Sequence, residues 1–472
     1  MKMERAIVKN LKSVMISGKE VLPIVEGGKG VGASNGATSG AFAAAGAVGT
    51  ISCVNADSYD ENGEVILPVY HGKTRRERHE ELIRLGIEGG IQQARIAHET
   101  SKGEGRIHIN VLWEMGGAEQ VLHGILEECS DIIHGVTCGA GMPYRLSDIA
   151  AQYNIYYHPI VSSMRAFRAL WKRSYSKQAE LLGSVVYEDP WLAGGHNGLS
   201  NSEDPKKPED PFPRVAELRA FMNKVGLEKT PILMAGGVWH LKDWENWFDN
   251  EKIGPIAFQL GSRPLLTQES PIPEGWKQRL MTLKEGDIYL NRFSPTGFYS
   301  SAVENDFLRE MIGRNERQIQ YSTEPEGYLT EPLPVGARGR AVYISPEDKA
   351  LANKWLAEGH DDPLKTPDST LIFVSKLKAQ EILKDQTDCM GCLSHCKFSN
   401  WKDHDDYKTG KRSDPRSFCI QKSLQNAIHG KPIDDQLMFS GHNAYRFTTD
   451  PFYASGNIPT VKELVDRLMT GE

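Results

Sequence analysis

Residues 231–263 read PILMAGGVWHLKDWENWFDNEKIGPIAFQLGSR. Two short apolar runs, 231–235 and 255–260, end in Gly236-Gly237 and in Gly261-Ser262, and a helical pattern over 241–250 separates them. Apolar runs of that length bounded by proline and glycine suit strands buried on both faces, and an intervening helix makes such strands parallel. A single unit of this kind fits a barrel and an open sheet equally well. The number of such units along the chain decides between them.

Upstream, the same punctuation recurs six times. Strands are expected at 23–26, 47–52, 106–111, 131–137, 156–161 and 183–188, with helices at 75–100, 118–128, 145–153, 164–182 and 214–225. Eight strands alternating with helices make an α/β protein of the (β/α)₈ TIM-barrel class. The alternative, a doubly wound sheet, lacks its dinucleotide signature. Residues 27–32 (GGKGVG) are glycine-rich, but no acidic residue follows at the end of a second strand to hold a ribose. Downstream of the barrel, 321–340 reads as an irregular connector, and helices are expected at 345–358, 375–383 and 460–469. The chain thus divides into a barrel over 1–310 and a mostly helical extension over 311–472. The proline- and charge-rich run at 199–213 follows strand six and reads either as a lid-like loop or as a solvated excursion.

Composition narrows the class. The 472 residues are 39% hydrophobic and 25% charged with a net charge of −7, an ordinary globular balance that argues against nucleic acid as the main partner. The longest weakly apolar stretch, 41–54, is mostly alanine and glycine and too short to span a bilayer. With no secretory signal expected at the start and an odd count of seven cysteines, a cytoplasmic location with reduced thiols is expected.

The 45 glycines concentrate meaning at strand ends. Barrels bind phosphate with the loops after strands seven and eight, so Gly236, Gly237, Gly261 and Ser262 are candidates to hold one with backbone N–H groups and a hydroxyl. Strand six leads into Ala193-Gly194-Gly195-His196-Asn197-Gly198. A histidine framed by glycines over a barrel mouth is a candidate acid–base residue near pH 7.

Seven motifs occur in order: Pro23–Gly28 (PIVEGG), 47–52 (AVGTIS), Asn110, 139–143 (GAGMP), 194–198 (GGHNG), 235–238 (AGGV) and 260–270 (LGSRPLLTQES). Together they resemble the nitronate monooxygenase family, formerly called 2-nitropropane dioxygenases, whose relatives include FMN-dependent enoyl-ACP reductases. The resemblance implies FMN in the barrel, with Gly27 and Gly28 beside the isoalloxazine, Asn110 hydrogen-bonded to the flavin and Gly194 and Gly195 near it. It also implies the phosphate on Gly236, Gly237, Gly261 and Ser262, and His196 as general base or substrate-orienting group. The chain departs from the family at Lys29, where methionine is common, and at 159–163 (PIVSS), where a lysine is usual. Ser162 or His158 is the expected partial replacement there. The segment 294–297 (SPTG), with Ser301, only loosely matches the family's arginine-bearing segment.

Cys389, Cys392, Cys396 and Cys419 crowd into the last quarter of the chain. Four thiolates can hold a 4Fe-4S cluster or a zinc ion, with His395 or His404 as substitute ligands, and unmetallated thiols are the third reading. The opening C-x₂-C-x₃-C is similar to the cluster motif of 2,4-dienoyl-CoA reductases. The expected activity is oxidation of alkyl nitronates or nitroalkanes with dioxygen. The alternatives are reduction of an activated C=C bond fed by NAD(P)H or by an electron-donor protein through such a cluster, and a non-catalytic flavin-binding scaffold. The partners expected are a small-molecule substrate and, in the reductase case, that donor; an oligomer is compatible with the sequence.

Overall fold

Eight parallel strands pair in sequence order and close on themselves in the structure, a computed structural model that describes residues 11–336, 339–403 and 412–472. They are β1 (Ile24–Glu26), β2 (Val48–Ser52), β3 (Arg106–Leu112), β4 (Gly135–Gly139), β5 (Tyr156–Val161), β6 (Val185–Glu188), β7 (Ile232–Ala235) and β8 (Ile256–Leu260). The last strand closes on the first, with Phe258 opposite Ile24 and Leu260 opposite Glu26. Each strand lies where its apolar run predicts, save that β4 starts at Gly135 and not at 131. The preceding residues turn off a helix end instead, the N–H groups of Ile132 and Ile133 both bonding to the carbonyl of Cys129.

Val25, Val48, Val186, Leu233 and Ala257 fill the barrel interior together with Ile16 and Val21. The last two belong to an antiparallel hairpin, Val14–Ile16 with Lys19–Val21, that plugs one end. At that plug Ser17 Oγ lies 2.8 Å from His108 Nε2 and 3.0 Å from His158 Nε2. The two imidazoles stack at 4.2 Å, and His158 Nδ1 meets Ser184 Oγ at 2.7 Å. His158 therefore stands in for no flavin contact; it is part of the buried closure of the barrel.

The outer ring contains α1 (Gly36–Ala44), α2 (Arg75–Ser101), α3 (Ala118–Cys129), α4 (Leu146–Gln152), α5 (Met164–Arg173) and α6 (Pro211–Lys224). Helix α1 has no counterpart in the sequence expectations. Its sequence, GATSGAFAA, is poor in strong helix formers and carries no amphipathic stripe. It forms because α2 comes close enough to hold it: a Cβ on Gly36 would lie 2.4 Å from the Gln93 carbonyl oxygen, and one on Gly40 would lie 2.8 Å from that of Ala97. Helix α5 stops nine residues short of the expected 182, at Arg173. Ser174 there leaves the helical region and bonds Ser147 through its hydroxyl at 3.0 Å. Residues 241–250 give only a kinked 3₁₀ segment, Leu241–Trp247.

The extension is less helical than its sequence suggests. Residues 321–340 are not irregular throughout: Glu331–Val335 pairs with Arg340–Ile344 as a two-stranded hairpin. Pro332 and Pro334 are exposed there while Leu333 and Val335 are buried, and the strand pairs on one side only, so a missing N–H on its open edge costs little. Helices Pro346–Ala357 and Lys376–Thr387 follow. The final helix, Val461–Met469, returns to the barrel, where Val461, Leu464, Val465 and Leu468 join the main core. No described helix is long and apolar enough to cross a membrane.

Candidate active site

The loops leaving β1, β3, β6, β7 and β8 surround one cavity at the carboxyl ends of the barrel strands. On its wall stand Gly27, Gly28 and Asn110, and, across it, Gly194, Gly195 and His196. Gly236, Gly237, Gly261 and Ser262 complete the set. Ser162 is not on the wall: it is buried against Gly198, and its carbonyl accepts a hydrogen bond from Arg214 Nη2 at 2.8 Å.

The glycines are required by space and by backbone conformation. A Cβ on Gly28 would sit 2.4 Å from Asn110 Cβ, so only glycine lets the first loop lie over that side chain. Gly236 and Gly237 both hold left-handed backbone, with φ of +85° and +76°. Gly261 faces open space, with no atom within 4 Å of where its Cβ would be. The Gly441 N–H donates to Ser262 Oγ at 3.0 Å, and Asn443 Nδ2 donates to the Gly237 carbonyl at 2.6 Å. Residues 439–441, 443 and 444 thus form part of the wall. Sequence reasoning missed them because nearly 180 residues separate Gly441 from Ser262; the Ser440-Gly441 pair at the start of a 3₁₀ turn was the available signal.

Behind these loops Arg263 is almost completely buried. It donates to the Trp239 carbonyl at 2.8 Å and to Tyr453 Oη at 3.1 Å, and lies 3.8 Å from Asp450, which also accepts from Trp239 Nε1. This arginine ties the β7 and β8 loops to the end of the chain and places a fixed positive charge behind them.

His196 is held from two sides. Gly195 and His196 pair antiparallel with Ser301 and Ser300, and His196 Nε2 lies 2.6 Å from Ser294 Oγ, which meets Thr296 Oγ1 at 2.9 Å. The Phe439 ring packs edge-on at 5.4 Å. The SPTG segment therefore serves as the histidine's support. Burial pushes the imidazole down to about 4, so it is neutral at pH 7.

Further ionisable groups face the cavity, among them Lys29, Glu188 and Glu114, whose carboxyl is raised by burial. Lys29 donates to the fully buried Glu26 at 3.0 Å and to the Gly27 carbonyl at 2.8 Å; burial lowers its ammonium, with Glu26 acting in the opposite direction. Ser39 and Ser34 also donate to Glu26, fixing the first glycine loop. Glu188, at the end of β6, is pushed up to about 8 by burial and by neighbouring Asp189, and so carries its proton at neutral pH. Nothing in the sequence distinguished Glu188 from other strand-end acids; its environment does.

Flavin mononucleotide fits this lining. Ser440 Oγ, Trp276 Nε1 and Gln421 Nε2 are buried on or at the wall with no hydrogen-bond partner within the protein. Lys29 is the one lysine or arginine among the described wall residues, so a phosphate at Gly236, Gly237, Gly261 and Ser262 would be met by backbone N–H groups and hydroxyls.

Cys392 also stands on this wall. All seven cysteines are free thiols, and among the described residues no three His, Cys, Asp or Glu side chains converge on a single-ion site. His395 lies on the exposed side of a short strand, His395–Cys396, and His404 lies outside the described residues.

A family profile described as nitronate monooxygenase matches residues 129–471. No curated protein matches the chain in sequence. Among solved structures, the enoyl reductase domain of MlnA from the macrolactin cluster of Bacillus amyloliquefaciens superposes with a TM-score of 0.55 at 12% identity, covering 95% of this chain and 93% of that one. FabK from Thermotoga maritima gives 0.46 at 14% identity over 95% and 92% of the two chains. A nitroalkane oxidase from Streptomyces ansochromogenes gives 0.41 at 19% identity over 61% and 79%. At these identities the first supports the fold.

Proposed function

Since the chain belongs to the nitronate monooxygenase family and is a flavin-dependent oxidoreductase, we propose that it binds FMN and oxidises small alkyl nitronates, taken up as the anion, with dioxygen. The observation that carries this reading is His196: neutral, locked by Ser294 and aimed along the cavity that the glycine loops build. Bound there, FMN supplies acceptance of electrons from the substrate carbon and their delivery to dioxygen. The chain's own residues do the rest. Gly27, Gly28 and Asn110 place the ring system, and the β7 and β8 loops with Ser440 and Gly441 anchor the phosphate.

His196 orients the substrate. An imidazole whose conjugate acid titrates near 4 is a poor base for a carbon-bound proton at pH 7, because efficient general bases titrate close to the working pH. A nitronate has already lost that proton, whereas a neutral nitroalkane has not. Steady-state oxygen uptake at pH 7 tests the distinction: turnover with propyl-2-nitronate should exceed that with 2-nitropropane by at least tenfold. Equal turnover with both would show that His196, or another group, abstracts the proton.

A second reading is favoured by Glu188. Reduction of an activated C=C bond needs a proton donor at the cavity, and a carboxyl that keeps its proton to about pH 8 is one. In that case NAD(P)H or an electron-donor protein reduces the flavin, and Glu188 delivers the proton to the substrate carbon.

A further inference from the structure

We propose that Gln421 is a specificity-determining residue: its side-chain amide donates to an uncharged acceptor oxygen, a carbonyl or an ether, on an apolar chain that the substrate extends into one arm of the cavity. The proposal deepens the nitronate reading, on which it rests for the identity of the reacting end.

The first argument is an unspent donor. Gln421 is 2% exposed, stands on the first turn of the helix Ile420–Ile428 and lines the cavity. Its Oε1 accepts from Asn55 Nδ2 at 2.7 Å, whereas its Nε2 has no hydrogen-bond partner within the protein. The Asn55 bond takes the oxygen of the amide and leaves the N–H₂ for a ligand. A buried donor without a partner bears its full desolvation cost, so its place on a cavity wall marks where an acceptor enters.

The second argument is that this amide is held still. The helix is tied to the barrel at both ends, by Asn55 at its start and, just past its last turn, by His429 Nε2 at 3.1 Å from Asp57 Oδ2. Between these ties, Ser423 Oγ accepts from the Leu437 N–H at 2.7 Å. A donor already in place discriminates more sharply than one that binding must order.

The third argument is the surroundings. Among the unpartnered donors at the wall, Ser440 adjoins Gly441, which bonds Ser262, and Trp276 packs with Trp239 and Leu265. Both belong to the β7 and β8 side. Gln421 instead meets the loop that leaves β2, and β1 separates β2 from β8 around the barrel. Val54, Met115, Leu393, Ile420 and Leu424 line the cavity there, with Leu393 bridging Met115. Such a lining takes an alkyl chain. Charge selects against an anionic tail. Glu114 stands on the same wall, where it accepts from Ser394 Oγ at 3.2 Å, and Lys29, the one cation among the described wall residues, is engaged by Glu26. A carboxylate or phosphate in this arm would lose its water without gaining a counter-ion.

Isothermal titration calorimetry of the flavin-loaded protein with hexan-2-one, and separately with hexanoate, tests the arm without turnover. At pH 7 the ketone should bind more tightly than the acid by roughly tenfold or more. In both Gln421→Leu and Gln421→Glu it should bind about tenfold more weakly, with flavin retained. Gln421→Glu keeps the acceptor that Asn55 requires, which separates loss of the donor from damage to the helix. Hexanoate bound as tightly as the ketone, ketone affinity unchanged in either variant, or no ketone binding by the unmodified protein would overturn the proposal. So would loss of flavin from both variants, which would assign Gln421 to the cofactor. Oxidation of propyl-2-nitronate is read separately: its absence beside the expected titrations would remove the nitronate reading and leave the arm in place.

Discussion

At the scale of single residues, the site rests on how His196 is held. A neutral imidazole 2.6 Å from Ser294 Oγ, on a strand edge paired with Ser300 and Ser301, has one orientation available. His196→Ala should therefore keep its flavin and lose turnover, by roughly 10²-fold or more, the usual worth of a positioned imidazole. Flavin-to-protein absorbance ratios and oxygen uptake check the two halves; a variant purified without flavin would assign His196 to cofactor retention. The histidine and the strand-end glycines were legible in the sequence because a glycine frame around an imidazole after a β-branched run has few other uses. Ser162 was misplaced because strand-end position alone does not tell which side chains point over the mouth. Glu188 and Ser440 were missed for a different reason: their roles come from burial and from a distant segment, neither of which local sequence encodes.

At the scale of elements, two contacts decide stability. Helix α1 exists by its approach to α2, so Gly40→Val, whose new Cβ would fall 2.5 Å from Thr100 Cβ and 2.8 Å from the Ala97 carbonyl oxygen, should destabilise the protein by about 1–3 kcal/mol. Urea denaturation measures it; an unchanged midpoint would mean that α1 moves freely. The plug contains the second. Burial pushes His158 down to about 3 and His108 well below its ordinary value, where the charge of His158 adds to the effect. Both folded values lie below the unfolded one, so the unfolded chain takes up protons first as pH falls. The stability they carry is complete above about pH 6.5 and is lost as pH drops, for His158 by about 2 kcal/mol at pH 5. Urea midpoints at pH 7 and pH 5 should differ accordingly, and His158→Gln should flatten the difference. Strand placement was legible because buried parallel strands announce themselves as short apolar runs between glycine and proline. Helix α1 and the Glu331–Val335 hairpin were not: each is held by tertiary contact against its local propensity.

At the scale of the whole molecule, barrel and extension are interleaved. The Phe439–Ala444 segment completes the cavity wall, Asp450 and Tyr453 meet Arg263 behind the β7 and β8 loops, and Val461–Met469 packs into the barrel core. A chain cut after residue 310 loses all three. It should fail to retain flavin and should show exposed apolar surface by dye binding, whereas a well-folded, flavin-loaded fragment would show that the barrel is complete without them. The central claim is that the flavin in this cavity takes its electrons from a nitronate. Anaerobic mixing of the purified flavoprotein with propyl-2-nitronate, and separately with NADH, reads it directly through the flavin absorbance. The account predicts bleaching by the nitronate within the turnover time; bleaching by NADH with none by the nitronate would contradict it.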